Sequence, residues 1–194
     1  MPEVKPLVNS SRSMKPTPTF SARHDHVPRR ALLAMLMAPV LAGWGTAGCE
    51  QAASRKLAPV FGYTLLDGTA AHSSALRGQV VLVNFWATTC AVCVNEMPQL
   101  LATHLRFRQH GLHTLAVAVR HDPPALVADF AQRRGLPFGV VIDNTGAITD
   151  SFGDVRGTPT TYVIDRQGHI ATRIEGQIDF ERLHRLIDQL LAQA

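Results

Sequence analysis

Residues 80–85 read VVLVNF, a near-continuous apolar run, and Trp86-Ala87-Thr88-Thr89 leads from it to Cys90-Ala91-Val92-Cys93. Such a run marks a central strand buried on both faces, which needs further layers of structure above and below it. After Cys90 the period changes. Met97, Leu100, Leu101 and Leu105 recur at helical spacing until about His110, and Gly111 supplies the stop. A buried strand feeding a helix predicts a strand–helix–strand unit. The cysteine pair therefore falls at the junction, where the first N–H groups of the helix have no backbone partner.

The rest of the chain extends this pattern. Residues 115–119 form a second buried strand, and Asp122-Pro123-Pro124 opens another helix. Asp122 is its expected N-cap, the prolines occupy the tolerated first turn, Leu126 and Phe130 follow, and Gly135 ends it. A short strand at 139–143 and a small helix at 147–152 come next. Strands at 160–164 and 170–175 are joined by the hairpin Asp165-Arg166-Gln167-Gly168. A final helix starts near Asp179 and carries Phe180, Leu183, Leu186, Ile187, Leu190 and Leu191. Ahead of all these, residues 61–66 alternate weakly and end at the turn Asp67-Gly68. No internal repeat is present. The expected architecture is α/β, a central mixed sheet flanked by helices.

Charge divides the chain in two. Of its 19 basic and 15 acidic side chains, six and two respectively lie in residues 1–49, leaving thirteen of each afterwards. The basic pI of 9.3 belongs to the first quarter of the chain. This argues against a nucleic-acid partner, which needs a clustered positive face on the folded domain. Residues 1–30 are polar and end in Arg29-Arg30, residues 31–42 are apolar, and Gly43-Trp44-Gly45-Thr46-Ala47-Gly48-Cys49 follows. A positive stretch, an apolar stretch and a small-residue exit are the parts of an export signal. The paired arginines match a twin-arginine signal only loosely, and Met14 offers a second start. Three fates are open: lipidation at Cys49, cleavage after Ala47, or retention of residues 31–48 as an anchor. Each places the remainder outside the cytoplasm. The chain then divides into an export segment (1–49), a linker (50–58) and one domain (59–194).

A thiol at a helix N-terminus meets free N–H groups and the positive end of the helix dipole, which favours its thiolate. Cys90 is the expected solvent-facing nucleophile, and Cys93, one turn on, the resolving thiol. Spacing alone leaves other readings of the pair open. A zinc site lacks two further ligands at suitable spacing, a structural disulfide suits an oxidising compartment, and Cu(I) suits two thiolates with a histidine.

Residues 81–98, VLVNFWATTCAVCVNEMP, resemble the TlpA/ResA-like branch of the thioredoxin superfamily, with a redoxin-like domain. The matching pieces are Asn84-Phe85-Trp86-Ala87, the Cys90/Cys93 pair and Glu96-x-Pro98. Further on, Gly157-Thr158-Pro159-Thr160-Thr161 and Val163-Ile164-Asp165-x-x-Gly168 match that family's cis-proline loop and final hairpin. The resemblance implies a thioredoxin-like fold with an N-terminal β-hairpin and an extra β-α insertion. It also implies a cis Thr158–Pro159 bond facing the cysteine pair, with the Thr158 backbone free to pair with a substrate strand; an ordinary trans turn fits the local sequence as well. Glu96 would handle the proton of Cys93, although its spacing equally permits a solvated first-turn glutamate. Asn84 stands where thioredoxins carry a buried aspartate.

Two departures are the threonine at 89, where tryptophan is usual, and the Ala91-Val92 dipeptide, which lacks proline. Arg120 and His121 follow the second strand and fall at the same end of the sheet as the cysteines, as active-site cations or solvated loop residues. His104, His110 and His113 look scattered over polar faces.

The function implied is an extracytoplasmic thiol-disulfide oxidoreductase, in the reducing direction. Its partners would be exported disulfide proteins, in haem attachment or copper-site assembly, and a membrane thiol donor. It would need no cofactor or metal beyond its own dithiol and would be tied to the membrane by the N-terminus. Two other functions fit the same fold: a copper carrier, and a peroxiredoxin-like peroxidase. The peroxidase motif is not matched, since Val83 and Ala87 stand at its Pro and Thr positions.

Overall fold

The computed structural model describes residues 55–153 and 155–193. The export segment, with Cys49 and the first part of the linker, lies outside the described residues. Strands β1 (Gly62–Thr64) and β2 (Ala70–His72) form an antiparallel hairpin across the turn at Asp67-Gly68. Five strands then make one sheet: β3 (Val80–Trp86), β4 (Leu112–Ala118), β5 (Gly139–Ile142), β6 (Thr160–Ile164) and β7 (Ile170–Glu175). Their spatial order is β5-β4-β3-β6-β7. The β3–β4 and β4–β5 pairs are parallel, and the β3–β6 and β6–β7 pairs antiparallel, so the sheet is mixed.

Four helices link these strands: α1 (Ala91–Phe107), α2 (Pro124–Arg134), α3 (Ala147–Phe152) and α4 (Phe180–Leu191). Every residue of β3 is buried, as its composition requires of a central strand. Alternation along β3 sends Val80, Leu82 and Trp86 to one face, where they meet Met97 and Leu100 of α1, Val127 of α2, and Leu183 and Ile187 of α4. Val81, Val83 and Phe85 face the other way, onto Phe61, Tyr63 of the hairpin, and Ile148 and Phe152 of α3. Phe85, Phe152 and Tyr162 make edge and tilted ring contacts there. The β1–β2 hairpin is the N-terminal hairpin that the resemblance implied, and β5 and α3 stand between α2 and β6.

Several local expectations shift. Helix α1 ends at Phe107 and continues as a 3-10 turn to His110, with Gly111 left-handed at φ 103°. Leu105 and Leu126 are exposed, and their helices bury Phe107, Val127 and Ala131 instead. His104 is not on a polar face. It is buried, with Nδ1 3.2 Å from Thr114 Oγ1, and burial is the main cause holding it below the ordinary imidazole range. The end of the linker is paired: Ala58 N–H donates to Gly168 O, and Lys56 O accepts from Ile170 N–H. Among the described residues no helix is long and apolar enough to cross a membrane.

Candidate active site

Parallel neighbours β3 and β4 end together, because Trp86 pairs with Ala118. The antiparallel register Phe85–Thr160 brings the residues just before β6 to that same end. The loops after β3 and β4 and the loop before β6 therefore converge, although they are distant in sequence.

The β3–α1 loop is held from two sides. Cys90 N–H donates to Ala87 O at 3.1 Å, closing a turn. The Thr88 amide and hydroxyl donate to the two Asp122 carboxylate oxygens at 2.7 and 2.5 Å. Asp122 was expected to cap α2; the residue at that position is Pro123, which has no side-chain cap to offer. Asp122 is instead buried and fastened to the loop two residues ahead of Cys90. Its place before two prolines makes it look like a helix cap, so no local signal could have assigned it to this loop.

Cys90 is the N-cap of α1, with extended backbone (φ −87°, ψ 103°), and its Sγ accepts from Cys93 N–H at 3.2 Å. The two sulfurs are bonded, with the Cα atoms 5.2 Å apart. Cys90 is partly exposed and Cys93 is buried, while Val92 between them stands out in solvent. Among the described residues no group of three or more His, Cys, Asp or Glu side chains converges, so no such third ligand joins the two sulfurs.

The Thr158–Pro159 bond is cis. Thr160 Oγ1 donates to Gly157 O at 2.7 Å and tightens this loop, and Pro159 O accepts from Gly176 N–H at 2.9 Å. Thr158 is half-buried and Pro159 buried. Asn84, in the middle of β3, is buried and donates from Nδ2 to Thr161 Oγ1, its partner across the β3–β6 pair.

Glu96 is not a solvated first-turn residue. It is buried, and Oε1 accepts from Ile178 N–H at 2.6 Å while Oε2 is buried with no hydrogen-bond partner among the described residues. Burial raises its pKa above the ordinary carboxylate range, and the Ile178 amide partly opposes this. Arg120 and His121 are exposed at the same end of the sheet. The Arg120 side chain runs across Gly146, where a Cβ would lie 3.0 Å from its Cδ, so it leans towards the start of α3.

A partly exposed sulfur at a helix N-terminus and a buried sulfur one turn on, bonded together, form a unit that can alternate between dithiol and disulfide. The Redoxin family model matches residues 52–187, which takes in this site and all of the sheet. The chain belongs to the Redoxin family. Among its Redoxin relatives, the "Thiol-disulfide oxidoreductase ResA" of Geobacillus kaustophilus is 35% identical over 133 residues, covering 69% of this chain and 75% of that protein. The ResA of Bacillus subtilis is 30% identical over 138 residues, covering 71% and 76%. A crystal structure of a thioredoxin-family thiol:disulfide interchange protein from Chlorobium tepidum is 26% identical, with a TM-score of 0.67, over 72% of this chain and 99% of that one. The Redoxin domain here is a thioredoxin-like enzyme domain with a thiol-disulfide pair at its active end.

Proposed function

We propose that the chain is an extracytoplasmic protein-disulfide reductase working through Cys90 and Cys93. The observation that carries this reading is the asymmetry of the pair. One sulfur is reachable and sits where N–H groups favour a thiolate, and the other is 3% exposed behind it.

In the dithiol state the Cys90 thiolate attacks one sulfur of a substrate disulfide. A Cys90–substrate mixed disulfide forms, and the first substrate thiolate leaves. The Cys93 thiol gives its proton to Glu96, and the new thiolate attacks Cys90 Sγ. The Cys90–Cys93 bond forms, the second substrate thiolate leaves, and two electrons have passed to the substrate. A membrane thiol donor then returns the pair to the dithiol by the same exchange. The loop before β6 supports substrate docking, because the half-buried Thr158 lies outside the β3–β6 ladder and its backbone can pair with an extended segment. Family likeness points to exported proteins whose thiols must be reduced for haem attachment or copper insertion. The front segment supports membrane attachment, with Cys49 as the candidate lipidation site.

A Cys93→Ser variant tests the central claim. Cys90 should then hold its substrate as a stable mixed disulfide, identified by mass spectrometry after non-reducing purification. Recovery of wild-type amounts of free Cys90, with no adduct, would overturn the assignment. Mass analysis of the mature N-terminus separates lipidated Cys49 from cleavage after Ala47.

A further inference from the structure

Residues 176–179 connect β7 to α4, and each of three anchors fixes a different part of the site. Gly176 N–H holds the carbonyl of cis Pro159. Ile178 N–H holds Glu96 Oε1, across 82 positions of sequence. The Ile178 side chain is buried in the core cluster that contains Cys93, Met97 and Trp86. Asp179 then caps α4 by accepting from Arg182 N–H at 3.0 Å. The turn needs Gly176 in the left-handed region, at φ 75°, with open space where a Cβ would stand.

Glu96 lies three residues beyond Cys93 on α1, and both side chains are buried. With one oxygen engaged by a backbone donor, the carboxylate cannot rotate freely. The unpartnered oxygen Oε2 is then the one available to a proton. No charged side chain figures among the causes that shift Glu96; they are burial and the Ile178 amide alone. Cys93 stands one turn before Glu96 on α1, and Asp179, next to Ile178 in sequence, turns its carboxylate to Arg182 N–H.

We infer that Ile178 is a positioning residue for the resolving step: the strap 176–178 ties the docking loop at Pro159 to Glu96 and presents Oε2, rather than Oε1, for the Cys93 proton. The inference rests on Glu96 being the base of that step. It gives the β7–α4 connection a catalytic purpose that its exposed Gly176-Gln177 surface does not advertise.

The test replaces the Ile178 amide with an ester in the full-length chain, by incorporating the α-hydroxy analogue of isoleucine. This deletes the N–H and keeps the side chain. A synthetic peptide disulfide carrying a fluorophore reports both steps by anisotropy: it rises when Cys90 captures the labelled half and falls when Cys93 releases it. The amide favours the charged carboxylate, so its loss raises the Glu96 pKa. The release rate should then reach its plateau at a pH about one unit higher, a ~10-fold loss below that midpoint, while the capture rate is unchanged. Glu96→Gln should remove the titration altogether. An ester chain whose release profile matches wild type, while Glu96→Gln loses the titration, overturns the role of Ile178 and leaves Glu96 standing. A Glu96→Gln profile identical to wild type overturns both.

Variants at Gly176 reach the same strap without touching Glu96. Asparagine tolerates the left-handed region better than valine, so Gly176→Asn should shift the release midpoint less than Gly176→Val. Equal, wild-type midpoints in both would also count against the strap.

Discussion

Cys90 draws its chemistry from two sources, and only one is local. As N-cap it accepts from Cys93 N–H, a consequence of where the helix begins. Its placement also depends on Asp122, which grips Thr88 from the loop after β4, 34 residues away. Replacing Asp122 with alanine strands a half-buried N–H and hydroxyl, and should cost about 1–3 kcal/mol in urea unfolding. Thr88→Val keeps the amide bond to Asp122 and should cost less; Thr88→Ser should cost less again. Glu96 makes the same point. Its position one turn beyond Cys93 is legible in the sequence, whereas its burial and its bond to Ile178 are not. Both depend on a loop that the helix pattern of α1 does not mention.

Helix α4 is the element most fully written in its own sequence. It starts at Asp179, as expected, with that side chain as its cap, and Leu183, Ile187 and Leu190 line the buried side at helical spacing. Ile187 is fully buried against β3, so Ile187→Ala should destabilise the domain by about 2–5 kcal/mol, read as a lower urea midpoint with unchanged slope. Helix α2 is less legible in its own sequence. Its N-cap is Pro123 rather than Asp122, because Asp-Pro-Pro satisfies the capping pattern whichever way the aspartate turns. Leu126 is exposed, since the helix buries the Val127–Ala131 stripe one position on. A short helix with few apolar residues does not fix its own rotation; the sheet it packs on does.

The folded domain also has a pH signature that follows from burial. His104, His113 and His184 are all held below the ordinary imidazole value of 6.5, chiefly by burial. The unfolded chain therefore takes up protons first as pH falls through that value. Their contribution to stability is complete above about pH 6.5 and is lost below it. Glu96 acts in the opposite sense. Its raised pKa favours the folded state below 4.5, and that contribution is lost as pH rises through the shifted value. The histidine contribution should lower the urea midpoint between pH 7.5 and 5.5, and His104→Phe should flatten that fall. The α/β class, the buried central strand and the seat of the cysteine pair at a strand-to-helix junction are legible along the chain, because burial periodicity is a local property. What surrounds the pair is not legible there. Asp122, the cis Pro159 loop, Glu96 and Ile178 meet because parallel and antiparallel registers bring three separate loops and the start of α1 to one end of a sheet. Register is a property of paired strands, and no single stretch of sequence carries it.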